Sequence, residues 1–305
     1  MKPVAVAAGV LALLSAGAGG DRSISSPASI LFLHGGFSSP SIELVRADGK
    51  GHPSVLVRHA LEPRWSPNGK QIAYVRPGVD SGVIFLMRAH GRGKHLLTRG
   101  GFQPAWSPDG ERIAYTGFDV GPLGVSVINR AGREVRRITG GVDDDPAWSP
   151  DGRLIAFHHV IPDIADEIWV VGDDGSGARR VAGDVGDNAL EPVWSPNGDT
   201  IAFVRSVRSS GGLLTSKIYL VDHDGSRERS LTGNTNTPVA EQEPAWSPDG
   251  SKVAFIRERE VTGAAEIHVV SSDGTGERTL AKQALGGFGS GPQWSPQGTK
   301  IAFVR

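Results

Sequence analysis

Pro244-Ala245-Trp246-Ser247-Pro248-Asp249-Gly250, followed closely by Val253-Ala254-Phe255-Ile256, is the phrase on which the fold turns. Its Trp-Ser-Pro core returns at Trp65, Trp106, Trp148, Trp194 and Trp294, spaced 41 to 52 residues apart. A period of about 40 to 50 residues holding several short strands belongs to propellers, and no amphipathic helical spacing competes with it. In the Ser-Pro-Asp/Asn-Gly turn, Pro sets φ, Asp or Asn bonds the local backbone, and Gly takes the positive φ that leads into the next strand. The last copy departs by carrying Gln297 before Gly298. The strand after each turn, such as Ile72-Ala73-Tyr74-Val75 or Ile201-Ala202-Phe203-Val204, is apolar on both faces. That pattern predicts burial between two neighbouring sheets.

Outward from this phrase each unit reads as four strands. Strand A ends in the Trp, strand B follows the turn, strand C precedes an Asp-Gly turn as in Ile218-Tyr219-Leu220-Val221 before Asp224-Gly225, and strand D reads like Arg229-Ser230-Leu231-Thr232. Six C–D pairs, beginning near Ile42, Phe85, Val125, Ile168, Ile218 and Ile267, predict an all-β, six-bladed β-propeller of four-stranded antiparallel blades. Ile30-Leu31-Phe32-Leu33 already reads as a strand B, while the C-terminus supplies both an A strand near Trp294 and a B strand at Ile301 to Val304. The expected closure joins the C-terminal A strand to the N-terminal B–C–D strands; the alternative is an incomplete seven-bladed ring.

At 305 residues and 38% apolar content, one large all-β domain is expected over residues 28–305. The 32 basic and 33 acidic residues nearly cancel, which argues against a nucleic-acid partner. Lys2, the uncharged run from Val4 to Leu14 and Ala16-Gly17-Ala18 read as a signal peptide over residues 1–18, with a short linker over 19–27. The apolar run is too short to span a bilayer, so no transmembrane segment is expected in the mature chain. Export to a periplasm or the extracellular space follows, and the absence of cysteine excludes disulfides and thiolate metal sites.

The phrase PAWSPDGxxIAF with a following I-x-V-x-x-x-DG-x-x-R-x-LT closely resembles the repeats of TolB-like β-propellers, over nearly all of the mature chain. The resemblance implies a propeller fold and protein partners. Similar blades also accompany prolyl oligopeptidase-type hydrolases and build oligogalacturonate lyases, so fold alone does not choose among functions. Asp21 to Ala28 leave no room for the α/β domain that precedes the propeller in TolB, and no hydrolase domain follows Arg305, so the propeller is expected to act alone.

The residue before each strand-A proline is Glu62, Gln103, Asp145, Glu191, Glu243 and Gly291. Equivalent positions in a propeller form a ring, so an acidic channel mouth is expected, with Asp143, Asp144, Asp184, Asp187 and Glu241 in adjoining loops. Strand B ends in Arg76, Arg205, Arg257 and Arg305, with His159 and His34 in matching places, and the hairpin should bring these into ion pairs with the ring. Asp143-Asp144-Asp145 lacks the D-x-D-x-D-G calcium pattern, and its neighbouring carboxylates should diverge. Leu33-His34-Gly35-Gly36 resembles an oxyanion segment, but no G-x-S-x-G elbow accompanies it. Apart from His34, which matches His159, the histidines fall in different repeat positions, so no lyase-like metal cluster is expected. No catalytic motif, metal or cofactor is therefore assigned. The expected function is that of an exported, monomeric, non-catalytic protein that binds a protein or peptide through its channel-mouth loops, the alternative being a secreted carbohydrate- or peptide-processing enzyme.

Overall fold

The computed structural model describes residues 11–13, 29–34, 40–46, 52, 54–78, 82–118, 123–184, 186, 188–208, 214–233, 239–259, 264–284, 291–295, 297–299 and 301–303. The first sheet comprises β1 Leu11–Leu13, β2 Ser29–His34, β3 Ser41–Arg46 and β4 Ser54–Arg58; the second, β5 Leu61–Trp65, β6 Gln71–Pro77, β7 Gly82–Arg88 and β8 His95–Arg99; the third, β9 Gly101–Trp106, β10 Arg112–Gly117, β11 Gly124–Asn129 and β12 Arg136–Arg137. Blade four holds β13 Val142–Trp148, β14 Leu154–Ile161, β15 Ala165–Gly172 and β16 Arg179–Ala182; blade five, β17 Asn188–Trp194, β18 Thr200–Arg208, β19 Leu214–Asp222 and β20 Arg229–Ser230; blade six, β21 Val239–Trp246, β22 Lys252–Arg259, β23 Ala264–Ser271 and β24 Arg278–Ala284. A two-stranded pair, β25 Gln293–Trp294 and β26 Ile301–Ala302, follows. Within each blade the strands pair antiparallel in sequence order, and single parallel bridges, Asp166 to Asn188 and Ser216 to Ala240, join blades four, five and six.

The strands β1, β5, β9, β13, β17, β21 and β25 each touch the next, and β25 touches β1, so the inner strands close into a ring. Six four-stranded blades are present, and the β25–β26 pair takes a seventh place in that ring, as in the incomplete seven-bladed alternative. Closure differs from the expectation, because β25 pairs with β26 and β2 pairs with β1. The local hairpin closes a loop of a few residues, whereas pairing β25 with β2 would close nearly the whole chain. Leu11–Leu13 lies within the expected leader, and cleavage after Ala18 would remove β1. The other residues of that leader, and the linker, lie outside the described residues.

The strand after each turn is buried on both faces, as its sequence predicts: Ile72, Ala73 and Tyr74, or Ile201, Ala202 and Phe203, are inaccessible to solvent. The repeated turn is held from inside: Ser149 Oγ donates to Asp151 at 2.6 Å and accepts from the Leu154 amide at 2.9 Å. Gly152 sits at φ 71°, and a Cβ there would lie 3.5 Å from Cδ of Pro108 in the preceding blade's turn.

The repeated Trp ties adjacent blades. Indole Nε1 of Trp106, Trp148, Trp194, Trp246 and Trp294 donates to the main-chain carbonyl of Arg64, Ala105, Ala147, Val193 and Ala245 respectively, at 3.0–3.2 Å. Trp148→Phe keeps an aromatic ring but removes the donor and part of the indole's buried bulk, so a loss of about 2–3 kcal/mol is expected, read as a lower urea midpoint at unchanged slope.

Candidate functional site

The inner strands β5, β9, β13, β17 and β21 are each irregular at one place, just before the proline, where the register against strand B slips. The residues there, Glu62, Gln103, Asp145, Glu191 and Glu243, all have φ of 49–55°. Such a left-handed bulge re-aims a side chain out of the strand's alternation. The re-aimed groups reach sideways to the next blade. Glu62 accepts from the Gln103 amide, Gln103 Oε1 from the Asp145 amide at 3.1 Å, and Glu191 from the Glu243 amide at 2.6 Å. Gln103 Oε1 also accepts from Thr116 Oγ1 at 2.7 Å. Asp145 has one methylene fewer than Glu and accepts no hydrogen bond among the described residues. The sixth position is Gly291, where a Cβ would lie 2.7 Å from Cβ of Glu243.

These groups converge on the propeller axis. Burial pushes Asp145 up to about 7, against the charge of Arg64 from blade two, with Asp144 and Glu243 raising it further. Burial likewise pushes Glu191 up to about 8, helped by the charges of Glu243 and Asp145, while the Glu243 amide opposes the shift. Glu62 is also raised, by burial first. The ring residues are nevertheless half-buried, so each keeps some access to solvent. The ring is therefore a cluster of carboxylates that burial and mutual repulsion hold towards the neutral form, with Arg64 as the cation that Asp145 and Glu62 feel.

Among the described residues, Arg76, His159, Arg205 and Arg257 have other partners than the ring expected for them. Their partners lie elsewhere because the ladder sets His159 opposite Asp143 and Arg257 opposite Glu241, while the bulge turns the ring residue away. His159 Nδ1 lies 2.5 Å from Asp143 Oδ1, and Arg257 Nε donates to Glu241 at 2.9 Å. Arg205 pairs with Asp184 at 3.3 Å and Glu228 at 2.6 Å, and Arg76 is exposed, its guanidinium 5.4 Å from the Phe85 ring centroid. Nor are Asp143, Asp144 and Glu241 loop residues: they stand in β13 and β21, with Asp143 and Glu241 buried. Asp184 lies outside the strands and is exposed; Asp187, and the side chains of His34 and Arg305, fall outside the described residues.

Asp143, Asp144 and Asp145 diverge: the first faces His159, the second lies 2.6 Å from His158 Nδ1, and the third faces the axis. His158 is buried with Asp166 at 3.4 Å on its other nitrogen; burial alone would lower its pKa, but the Asp144 hydrogen bond and both carboxylate charges raise it. Among the described residues, no group of three or more His, Asp or Glu side chains is placed to hold a metal.

The role of Glu241 was not read from the sequence, although a signal exists. Its counterparts are Ala60, Gly101, Asp143 and Ala189, so an acid replaces a small residue only where strand B opposes it with His159 or Arg257. Glu241 accepts from Thr232 Oγ1, from the Ile218 amide at 3.1 Å and from Arg257, and Lys217 Nζ stands 3.7 Å away. It therefore clamps blade five to blade six.

The sequence profile of the TolB beta propeller domain matches residues 30–211 and 167–305. The structure is similar to a putative TolB from Agrobacterium tumefaciens, at 22% identity over 83% of this chain and 93% of that one, with a TM-score of 0.65. It is also similar to oligogalacturonate lyase from Vibrio parahaemolyticus, at 15% identity over 90% of this chain and 82% of that one, with a TM-score of 0.67. A Mycobacterium tuberculosis puromycin-hydrolyzing peptidase matches at 16% identity over 97% of this chain and 52% of that one, with a TM-score of 0.65. At these identities the structural likenesses show the fold alone. No curated protein sequence matches the chain.

Proposed function

This chain belongs to the TolB β-propeller domain family, and from that premise we propose that it is an exported, monomeric, non-catalytic protein that holds a protein or peptide partner at the mouth of its channel. The observation that carries this reading is the bulged ring of Glu62, Gln103, Asp145, Glu191 and Glu243 facing the axis. Carboxylates held near neutrality by burial gain most from a cation that enters beside them, because the incoming charge restores what desolvation removed. A lysine, arginine or amino terminus on an inserted peptide supplies that charge, and loops on a rigid scaffold frame the entrance. Among the described residues, no helix is long and apolar enough to cross a membrane. An enzymatic reading finds less support, since the buried histidines are spread over separate blades, His158 in blade four and His268 in blade six, and do not converge on one site.

Affinity capture from the organism's own cell envelope tests the proposal. The comparison is between wild type and a folded variant carrying Glu62→Gln, Asp145→Asn, Glu191→Gln and Glu243→Gln. A protein retained by wild type and depleted at least about tenfold by the variant is expected, about 1.4 kcal/mol of binding. Capture of the same partners by both would overturn the channel site.

A further inference from the structure

We propose that the turns of blades two and three form a cationic surface that docks the protein on an anionic lipid bilayer. The near balance of charge in the whole chain conceals a separation around the ring. Lys70, Arg88, Arg92, Lys94 and Arg133 crowd the A–B and C–D turns of blades two and three, whereas the matching turns of blades five and six carry Asp199, Asp222, Asp224, Asp249 and Asp273.

The C–D turn of blade two shows that its cations have no structural task. In blades four, five and six the residue before the turn glycine is Asp174, Asp224 or Asp273, and its carboxylate accepts from the amide and the hydroxyl two residues on, at Ser176, Ser226 or Thr275. Blade two keeps the backbone of this turn, with the Arg88 amide donating to the Arg92 carbonyl at 2.8 Å and Gly91 at φ 78°, but places His90 and Arg92 at those two positions. Lys94 likewise stands where Glu228 and Glu277 hold Arg205 and Arg257. Lys70, Arg88, Arg92, Lys94 and Arg133 are exposed, and none makes an ion pair or a side-chain hydrogen bond among the described residues. Of the acids in these turns, Glu111 is paired with Arg130 at 2.8 Å, Asp109 closes its own turn through Ser107, and Glu134 stands exposed. Unpaired cations on neighbouring turns repel one another, and an external anion relieves that repulsion.

The turns form one surface. The Ala89 amide donates to the Lys70 carbonyl at 2.9 Å, which fastens the two turns of blade two together, and the blade-three turn rests on β8, where a Cβ on Gly132 would lie 3.1 Å from the Leu97 carbonyl oxygen. Among the cations stand two exposed aliphatic side chains, Leu96 at 41% and Val135 at 38%. Long cations on turn tips with aliphatic groups between them fit a bilayer, because lipid headgroups diffuse to meet the charges and the aliphatic groups enter the interface beneath. An acidic protein would have to hold its carboxylates in register with side chains that no bond fixes in place. The acids of blades five and six turn that side of the ring away from a negative surface. The A–B and C–D turns lie on the face opposite the loops that enter strand A, so docking leaves the channel mouth open, and the inference stands apart from the channel reading.

Co-sedimentation of the full chain with sucrose-loaded vesicles tests this, using phosphatidylcholine alone and phosphatidylcholine mixed with phosphatidylglycerol. Partition onto the mixed vesicles is expected to exceed that onto phosphatidylcholine at least about tenfold at about 0.1 M salt, and to fall at about 1 M, where the Debye length shortens from about 10 Å to about 3 Å. Arg88→Glu, Arg92→Glu and Lys94→Glu together should weaken it at least about tenfold, about 1.4 kcal/mol. Arg133→Glu, in a different blade, should act in the same direction, and Arg88→Lys with Arg92→Lys should leave the partition unchanged, because a bilayer reads charge and not guanidinium geometry. All these positions are exposed, and an unchanged urea midpoint checks that each variant folds. Equal partition onto the two kinds of vesicle, or equal partition of wild type and the triple variant, would overturn the proposal. So would a wild type that ignores the vesicles yet binds poly-glutamate through the same residues, which would assign the surface to an acidic protein.

Discussion

Glu241→Ala is expected to destabilise the protein by about 3–5 kcal/mol, the largest effect of any single substitution in the seams. Glu241 is completely buried and accepts from blade five through Thr232 and the Ile218 amide, and from blade six through Arg257. Its removal strands the buried Arg257 on Glu277 alone among carboxylates and leaves the Ile218 amide without this acceptor. The cost comes from the charge left behind and not from the worth of the pair, since a buried ion pair roughly balances its own desolvation. The double variant Glu241→Leu, Arg257→Met is therefore expected to recover most of the loss. Urea unfolding of the two single variants and the double checks this, and a double no better than Glu241→Ala would refute the account.

The second large effect is a fall in stability as pH rises from about 4.5 to about 8. Asp145 and Glu191 are pushed up to about 7 and about 8 in the folded chain, so across this range the folded state holds protons that the unfolded state has released. Stability is then full below the ordinary carboxylate range and is lost as pH passes through the folded values. The limit is about 1.4 kcal/mol per pH unit for each proton, and the ring's partial access to solvent keeps the slope below it. His158, also raised, adds loss in the same direction above its ordinary value of 6.5. Glu277 acts oppositely: the His268 hydrogen bond, followed by Arg257, holds it down to about 2, so its contribution disappears as pH falls from about 4.5 towards 2. Thermal unfolding midpoints across pH should peak near the carboxylate range, and Glu191→Gln should flatten the alkaline limb. An unchanged limb in that variant would remove the ring as its source.

Much of this architecture is legible in the residues because the turn, the Trp and strand B each have a local cause. Ser149 and Asp151 close their turn within five residues, and an Ala-Phe strand apolar on both faces has no stable place except between sheets. The ring positions could be named for the same reason, since they repeat ahead of each proline. Their direction could not, because alternation along a strand gives the wrong answer where Glu62 and Asp145 adopt φ near 50°. The partners of Arg257 and His159 were misassigned by that single bulge. Burial was not legible at every repeat position either: Leu231 and Leu280 occupy equivalent places in sequence, yet Leu231 is buried in a cluster with Val270 and Leu280 is exposed.

The indole bonds all run backward, each Trp fastening its blade to the one before it, from Trp106 to Trp294. Fasteners arranged in this way are loaded one after another when the chain is pulled from its C-terminal end, and none shares the load of the next. Under tension the propeller should unzip blade by blade, beginning with the short pair that Trp294 holds, and give a sawtooth trace in place of one rupture. The same molecule pulled sideways, across several seams at once, would resist as a block.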